Sequence, residues 1–243
     1  MKNKIIVILI LSLSVTFIIA ASVHSKRNPS PNLGKQKAEV LMDSSEKDVI
    51  AKVNGQPVLR VDFELGLKEI SVSEAQVEKN LGDAAELPLI QEKIKELKQL
   101  SDRYSPEARA LAHVLSKELT YQEALKKGFV ASDEEVKEYC DWVKENMETA
   151  RSDNSEFDEF VGTIGEDTYL KEILPNIMKK SMAIGKLKAE MSKDLSTTEA
   201  NKKWHLYSAS LIKEADIELI DPELDSSMVD EAIDVIQAFA NFE

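Results

Sequence analysis

The stretch VIAKVNGQPVLRVDFELGLKEI, Val49–Ile70, decides how the rest of the chain is read. Val49–Val53 is a short apolar run, Asn54-Gly55 is a turn signal that accepts positive φ, and Val58-Leu59 is a second short run. Pro57 lacks the N–H that a central strand donates, so the second run is confined to an edge. From Val61 to about Asn80, Phe63, Leu67, Ile70 and Val77 recur at roughly helical spacing. The reading is a small hairpin leading into a helix. A lone hairpin is marginal in water, so its first strand needs another partner.

The only other strand candidate lies far along the chain. Between the two, apolar stripes predict helices over Pro88–Leu100, from Ser105-Pro106 to a stop at Gly128, and from Ser132, whose pairing with Glu135 is a capping box. Ser155–Gly165 reads as a short helix or turn, and Glu166–Leu195 as a long helix that Pro175 kinks or divides. Thr197–Ala215 is one more helix. ADIELIDPEL then alternates at Ile217 and Leu219 until Pro222 ends the run. The simplest way to satisfy both strands pairs Val49–Val53 with Asp216–Ile220, which defines a mostly α domain over 48–224 with a small β pairing between its ends. The tail, 225–243, has no basic residue and places Met228, Val229, Ala232, Ile233, Ile236 and Phe239 at helical spacing. Packing onto the body is its default role.

Composition narrows the chemistry. The 243 residues carry 31 Lys and Arg against 44 Asp and Glu, a formal net charge of −13, which argues against nucleic acid as a partner. The single cysteine, Cys140, excludes an internal disulfide framework and a cysteine-based zinc site, and its helical context marks a packing thiol. His24, His113 and His205 have no metal-ligand spacing. No nucleophile elbow, phosphate-binding glycine loop or H-E-x-x-H motif occurs. No catalytic residue, metal ligand or cofactor is assigned.

The beginning of the chain points to export. Lys2 and Lys4 precede an uncharged run from Ile5 to Ser25. The run exceeds the ~7–15 residues of a cleaved signal core and approaches the ~20 that span a bilayer. Residues 1–25 therefore read as a signal peptide cleaved after Ser25 or as a retained membrane anchor, and both place the body outside the cytoplasm. No cysteine follows the run to carry a lipid. Residues 26–47, with Pro29, Pro31 and Gly34, read as a flexible tether.

Three segments in order carry a resemblance. DVIAKVNGQPVLRVDFE resembles the opening of the SurA/PrsA-type chaperone domain, a strand ending Val-Asn-Gly that leads into the first helix. LSKELTYQEALKKGFVASDEEVKEY resembles its second hallmark, a Gln-Glu-Ala-containing helix, then Lys-Lys-Gly, then an acidic helix start. WHLYSASLIKEADIELIDPEL resembles its close, a helix and a returning strand. The resemblance implies an extracytoplasmic, mostly helical SurA N-terminal-like domain, secreted or membrane-anchored, that binds unfolded or exported polypeptides. Some members also carry a parvulin-type prolyl isomerase domain, rich in glycine loops and strand-borne histidines. This chain has eight glycines and three histidines. Its LAHVLSKEL only superficially echoes the parvulin opening, because His113 lies within a helical stripe.

A chaperone of this kind needs apolar surface in a cradle with polar edges, and flexible side chains such as Met suit varied clients. The candidate contacts are Met147, Phe157, Phe160, Tyr169, Met178, Met182 and Met191, around the long helix. Taken one at a time, each also fits a core position. The acidic surface keeps the chain soluble and would favour basic clients. Two other readings use the same fold: an adaptor for one partner in an envelope complex, and a residual prolyl isomerase.

Overall fold

The computed structural model describes residues 33–43, 48–68, 70 and 98–241. The proposed export segment, the expected helix beyond residue 70 and most of the helix expected over 88–100 lie outside these residues. The described chain is mostly helical with one three-stranded antiparallel sheet.

Strand β1 (Val49–Val53) is central, β2 (Gln56–Leu59) is one edge and β3 (Ile217–Leu219) the other. The pairing across the chain has the expected sense: Ala51 faces Leu219, Lys52 faces Glu218 and Val53 faces Ile217. Pro57 stands on the edge strand, opposite Lys52. Asn54 (φ 52°) and Gly55 (φ 78°) make the turn in the left-handed region, where Gly meets no Cβ penalty and Asn is tolerated. A bulge between Val49 and Ala51 breaks simple alternation, so Ile50 and Ala51 are both fully buried. The Ile50 carbonyl accepts from the N–H of Ile220 (2.8 Å) and Asp221 (3.0 Å), which extends the closure past β3. Arg60 seals the base of the sheet by pairing with Asp48 (3.0 Å) and with the buried Asp221.

Helix α1 is Leu33–Asp43, α2 runs over 60–68 and α3 over 98–103. Next come α4 (Pro106–Lys126), α5 (Asp133–Glu145), α6 (Met147–Asp153) and α7 (Ser155–Ile164). Helices α8 (Leu174–Met191), α9 (Thr197–Glu214) and α10 (Ser226–Phe239) complete the chain. Ser105, Ser132 and Ser196 cap α4, α5 and α9, each accepting from a backbone N–H of the first turn, and the latter two close full capping boxes with Glu135 and Glu199.

The main core lies where α4, α9 and α10 meet the sheet. Ile50, Val53, Leu111, Leu115, Ile212 and Val235 are essentially inaccessible there. Burying such a side chain contributes about 1.5–3 kcal/mol. Helix α10 packs on both α4 and α9, so the tail is an integral part of this core and packing does not break at residue 224. The two hallmark segments of the sequence are joined by one side chain. Gln122 on α4 donates to the Val53 carbonyl (3.1 Å) and accepts from Asn54 Nδ2 (3.0 Å), while Asn54 Oδ1 accepts from the Asp216 N–H (3.0 Å). One turn is thereby tied to both a helix and the returning strand.

The tether reading of 26–47 is corrected over part of its length. Leu33–Asp43 is a helix packed against α7, with Ala38 fully buried.

Candidate functional site

A second apolar cluster sits apart from the sheet. It is built by α5, α6, α7 and the start of α8, and α1 covers one side. Pro175 organises its centre. In a continuous α-helix its ring would clash with the carbonyl four residues back, and it has no N–H to give. The chain responds with a π-helical turn over Tyr169–Ile173, in which the Leu174 N–H reaches back to the Tyr169 carbonyl. Beside the proline, Asn176 Nδ2 donates to the Glu172 carbonyl (2.8 Å). The predicted division of the long helix therefore takes the form of a π turn followed by α8.

The widened turn lodges Tyr169 among aromatic neighbours. Its ring meets Phe157 edge-on at 5.4 Å and Phe160 at 6.2 Å, geometries that the ring quadrupole favours. Asn154 holds α7 in place by accepting from the Phe157 N–H (3.1 Å), and Arg151 joins Asp158 (2.5 Å) and Glu166 (3.4 Å) across the α6–α7 corner. On the far side, Lys186 of α8 bonds Glu135 (2.7 Å) and the Val130 carbonyl (2.9 Å), and Lys179 reaches Asp133 (3.0 Å). The Lys186 ammonium, together with the Ser132 backbone, holds the Glu135 carboxyl below its ordinary range. Burial raises the Tyr139 and Tyr169 hydroxyls well above theirs. Burial, with Asp141 nearby, also raises the Cys140 thiol, so this half-buried cysteine is a protonated packing group.

Six of the seven candidate contacts come together here. Met147, Tyr169 and Met178 are interior, while Phe157, Phe160 and Met182 are half-buried at the margin. Met191 is elsewhere. It packs with Ala124, Leu187 and Trp204 in a third cluster where α4, α8 and α9 cross. Trp142, on the outer side of α5, is 47% exposed and touches Tyr139 (5.6 Å between rings).

The sequence reading missed the α1 side of this site. A Cβ at position 34 would lie 1.9 Å from the Glu156 carbonyl oxygen and 2.8 Å from the Phe160 nitrogen, so only glycine permits this approach of the two helices. Lys37 is buried beside it and pairs with Glu156 (2.9 Å). The available signal was the run of helix formers KQKAEVLM after Gly34. Among the described residues no group of His, Cys, Asp and Glu could hold a metal ion, and no helix is long and apolar enough to cross a membrane.

The fold thus defines a class: a mostly helical chain closed by a three-stranded antiparallel sheet, with a methionine- and aromatic-rich helical cluster beside it. Comparison with known proteins finds no family model, curated protein or solved structure that matches the chain.

Proposed function

We propose that this protein is an extracytoplasmic chaperone of the SurA/PrsA type that binds unfolded or exported polypeptides without catalysis. The observation that carries the reading is the antiparallel pairing of Val49–Val53 with Ile217–Leu219, joined through Asn54 to Gln122. It joins the three segments that resemble the family around one sheet and helix, which supports the reading. The second cluster supports the binding role. Its margin offers Phe157, Phe160 and Met182, whose shapes adapt to unrelated apolar side chains, and Trp142 adds exposed aromatic surface nearby along α5. Met147, Tyr169 and Met178 shape that margin from beneath. Delivery to the cell envelope rests on the apolar segment at 1–25, acting as signal or anchor.

In-cell crosslinking with the full chain tests the proposal. Many unrelated exported proteins should be captured from the envelope fraction. A single recurrent partner would replace the chaperone with an adaptor.

A further inference from the structure

The occupant of α7 shows what the site accepts. Helix α1 lies on α7 at backbone contact: Gly34 abuts Glu156 and Phe160, Ala38 four residues on is fully buried, and Lys37 between them pairs with Glu156 at 2.9 Å. The Lys37 and Glu156 side chains are only 10% and 20% exposed, so the charge match is made away from bulk water. The surface thus receives a helix with small residues on its contact side and a basic residue between them.

The fit is incomplete in one respect. Oε2 of Glu159, whose Cβ lies beside Gly34, is buried without a hydrogen-bond partner among the described residues, so a carboxylate oxygen is held from water with no donor in return. Away from α7, α1 borders an open cleft of about 720 Å³ between its own Gln36, Val40 and Met42 and Asp48, Arg60 and Glu64. An eleven-residue helix is marginal alone, so its persistence depends on this one-sided packing. A polypeptide with a second basic residue near Glu159 would match the site better than α1 does.

We propose that α1 is an intramolecular occupant of the client surface, and that the clients displacing it are basic, helix-forming segments with small residues four apart. This rests on the chaperone reading above. The device keeps the α7 backbone face at Glu156, Glu159 and Phe160 covered until a better-matched chain arrives. A client must compete with α1, so apparent affinity falls by the fraction of molecules in which the site is open.

The full chain and two variants test it. Gly34→Leu cannot seat α1, and Lys37→Glu sets two like charges against each other. The probe is reduced, carbamidomethylated lysozyme, a permanently unfolded basic chain, with reduced, carbamidomethylated α-lactalbumin as its acidic counterpart. Binding of the basic chain should tighten about tenfold in Gly34→Leu and by less in Lys37→Glu. A synthetic peptide copying residues 33–43 in excess should reverse the gain, and basic client added to the natural chain should speed amide exchange over 33–43. Lys37→Glu keeps the test valid if Gly34→Leu folds poorly. Equal client affinity in all three proteins would overturn the inference and leave the chaperone reading standing. Binding of neither client by any of them would overturn both. Equal binding of the acidic client would overturn the basic specificity.

Discussion

The sheet-centred core and the α5–α8 cluster are both apolar, yet they are built for different ends. The first is mostly Ile, Val, Leu and Ala, with Phe63 and Tyr104, at almost no exposure, and backbone ladders between residues more than 160 positions apart lock it. The second mixes Ala, Val, Ile and Leu with Met, Phe and Tyr, several of them half-buried, and side-chain ion pairs at its edges hold it. Branched aliphatics in a closed space specify one packing. Methionines and aromatics at a margin accept several. The contrast separates a closed core from a cluster with a half-buried margin, the part proposed above to contact other chains.

Paired truncations would break or confirm that division. Leu115→Ala, in the fully buried core of α4, should lower unfolding free energy by about 2–5 kcal/mol, because a closed site relaxes poorly around a cavity. Met182→Ala, at the half-buried margin, should cost well below the Leu115→Ala loss, because a partly exposed site leaves no closed cavity, and weaken client binding instead. Urea denaturation measures both; equal losses would mean that the second cluster is simply more core. An effect smaller than that of Leu115→Ala is expected at the turn that joins sheet to helix. Asn54→Ala removes the bonds to Asp216 and Gln122 and puts Ala at φ 52°, for an expected loss of about 1–3 kcal/mol.

The smallest effect concerns pH and acts only on the second region. Folding lowers the Glu135 pKa, because the carboxylate is bonded by Lys186 and the Ser132 N–H. Its contribution is therefore full above the unfolded value of about 4.3 and is lost as pH falls through the lower folded value. Glu135→Gln should flatten the acid limb of the stability curve below about pH 4.3 and leave the neutral region changed by less than about 1 kcal/mol. Acid titration followed by circular dichroism checks this. An unchanged acid limb would show that the α5–α8 tether does not contribute.

Much of the fold was legible because its signals are local and mutually consistent. Asn54-Gly55 demanded a turn, Pro57 an edge, and Ser132 with Glu135 a helix start, and each is found. The long-range pairing of β1 with β3 was legible by elimination, since two lone strands in a helical chain have little else to bond. The site was legible only in part. Six of the seven Met and aromatic residues named around the long helix share one cluster, but their spacing does not say which side each faces. Met191 therefore belonged to another cluster, and Tyr169 was placed by a π turn.

Helix α1 shows where local reading fails. Pro29, Pro31 and Gly34 spell a tether, and glycine inside a helix costs about 1 kcal/mol relative to alanine. The helix exists because α7 is there to receive it, and Gly34 is what allows the approach. The sequence by itself determined the helical class, the turn, the edge strand and the caps, since these depend on residues within a few positions of one another. The tertiary structure alone decided that α1 docks, that Tyr169 joins Phe157 and Phe160, and that Oε2 of Glu159 has no donor among the described residues, because each depends on surfaces that meet only after the chain has folded.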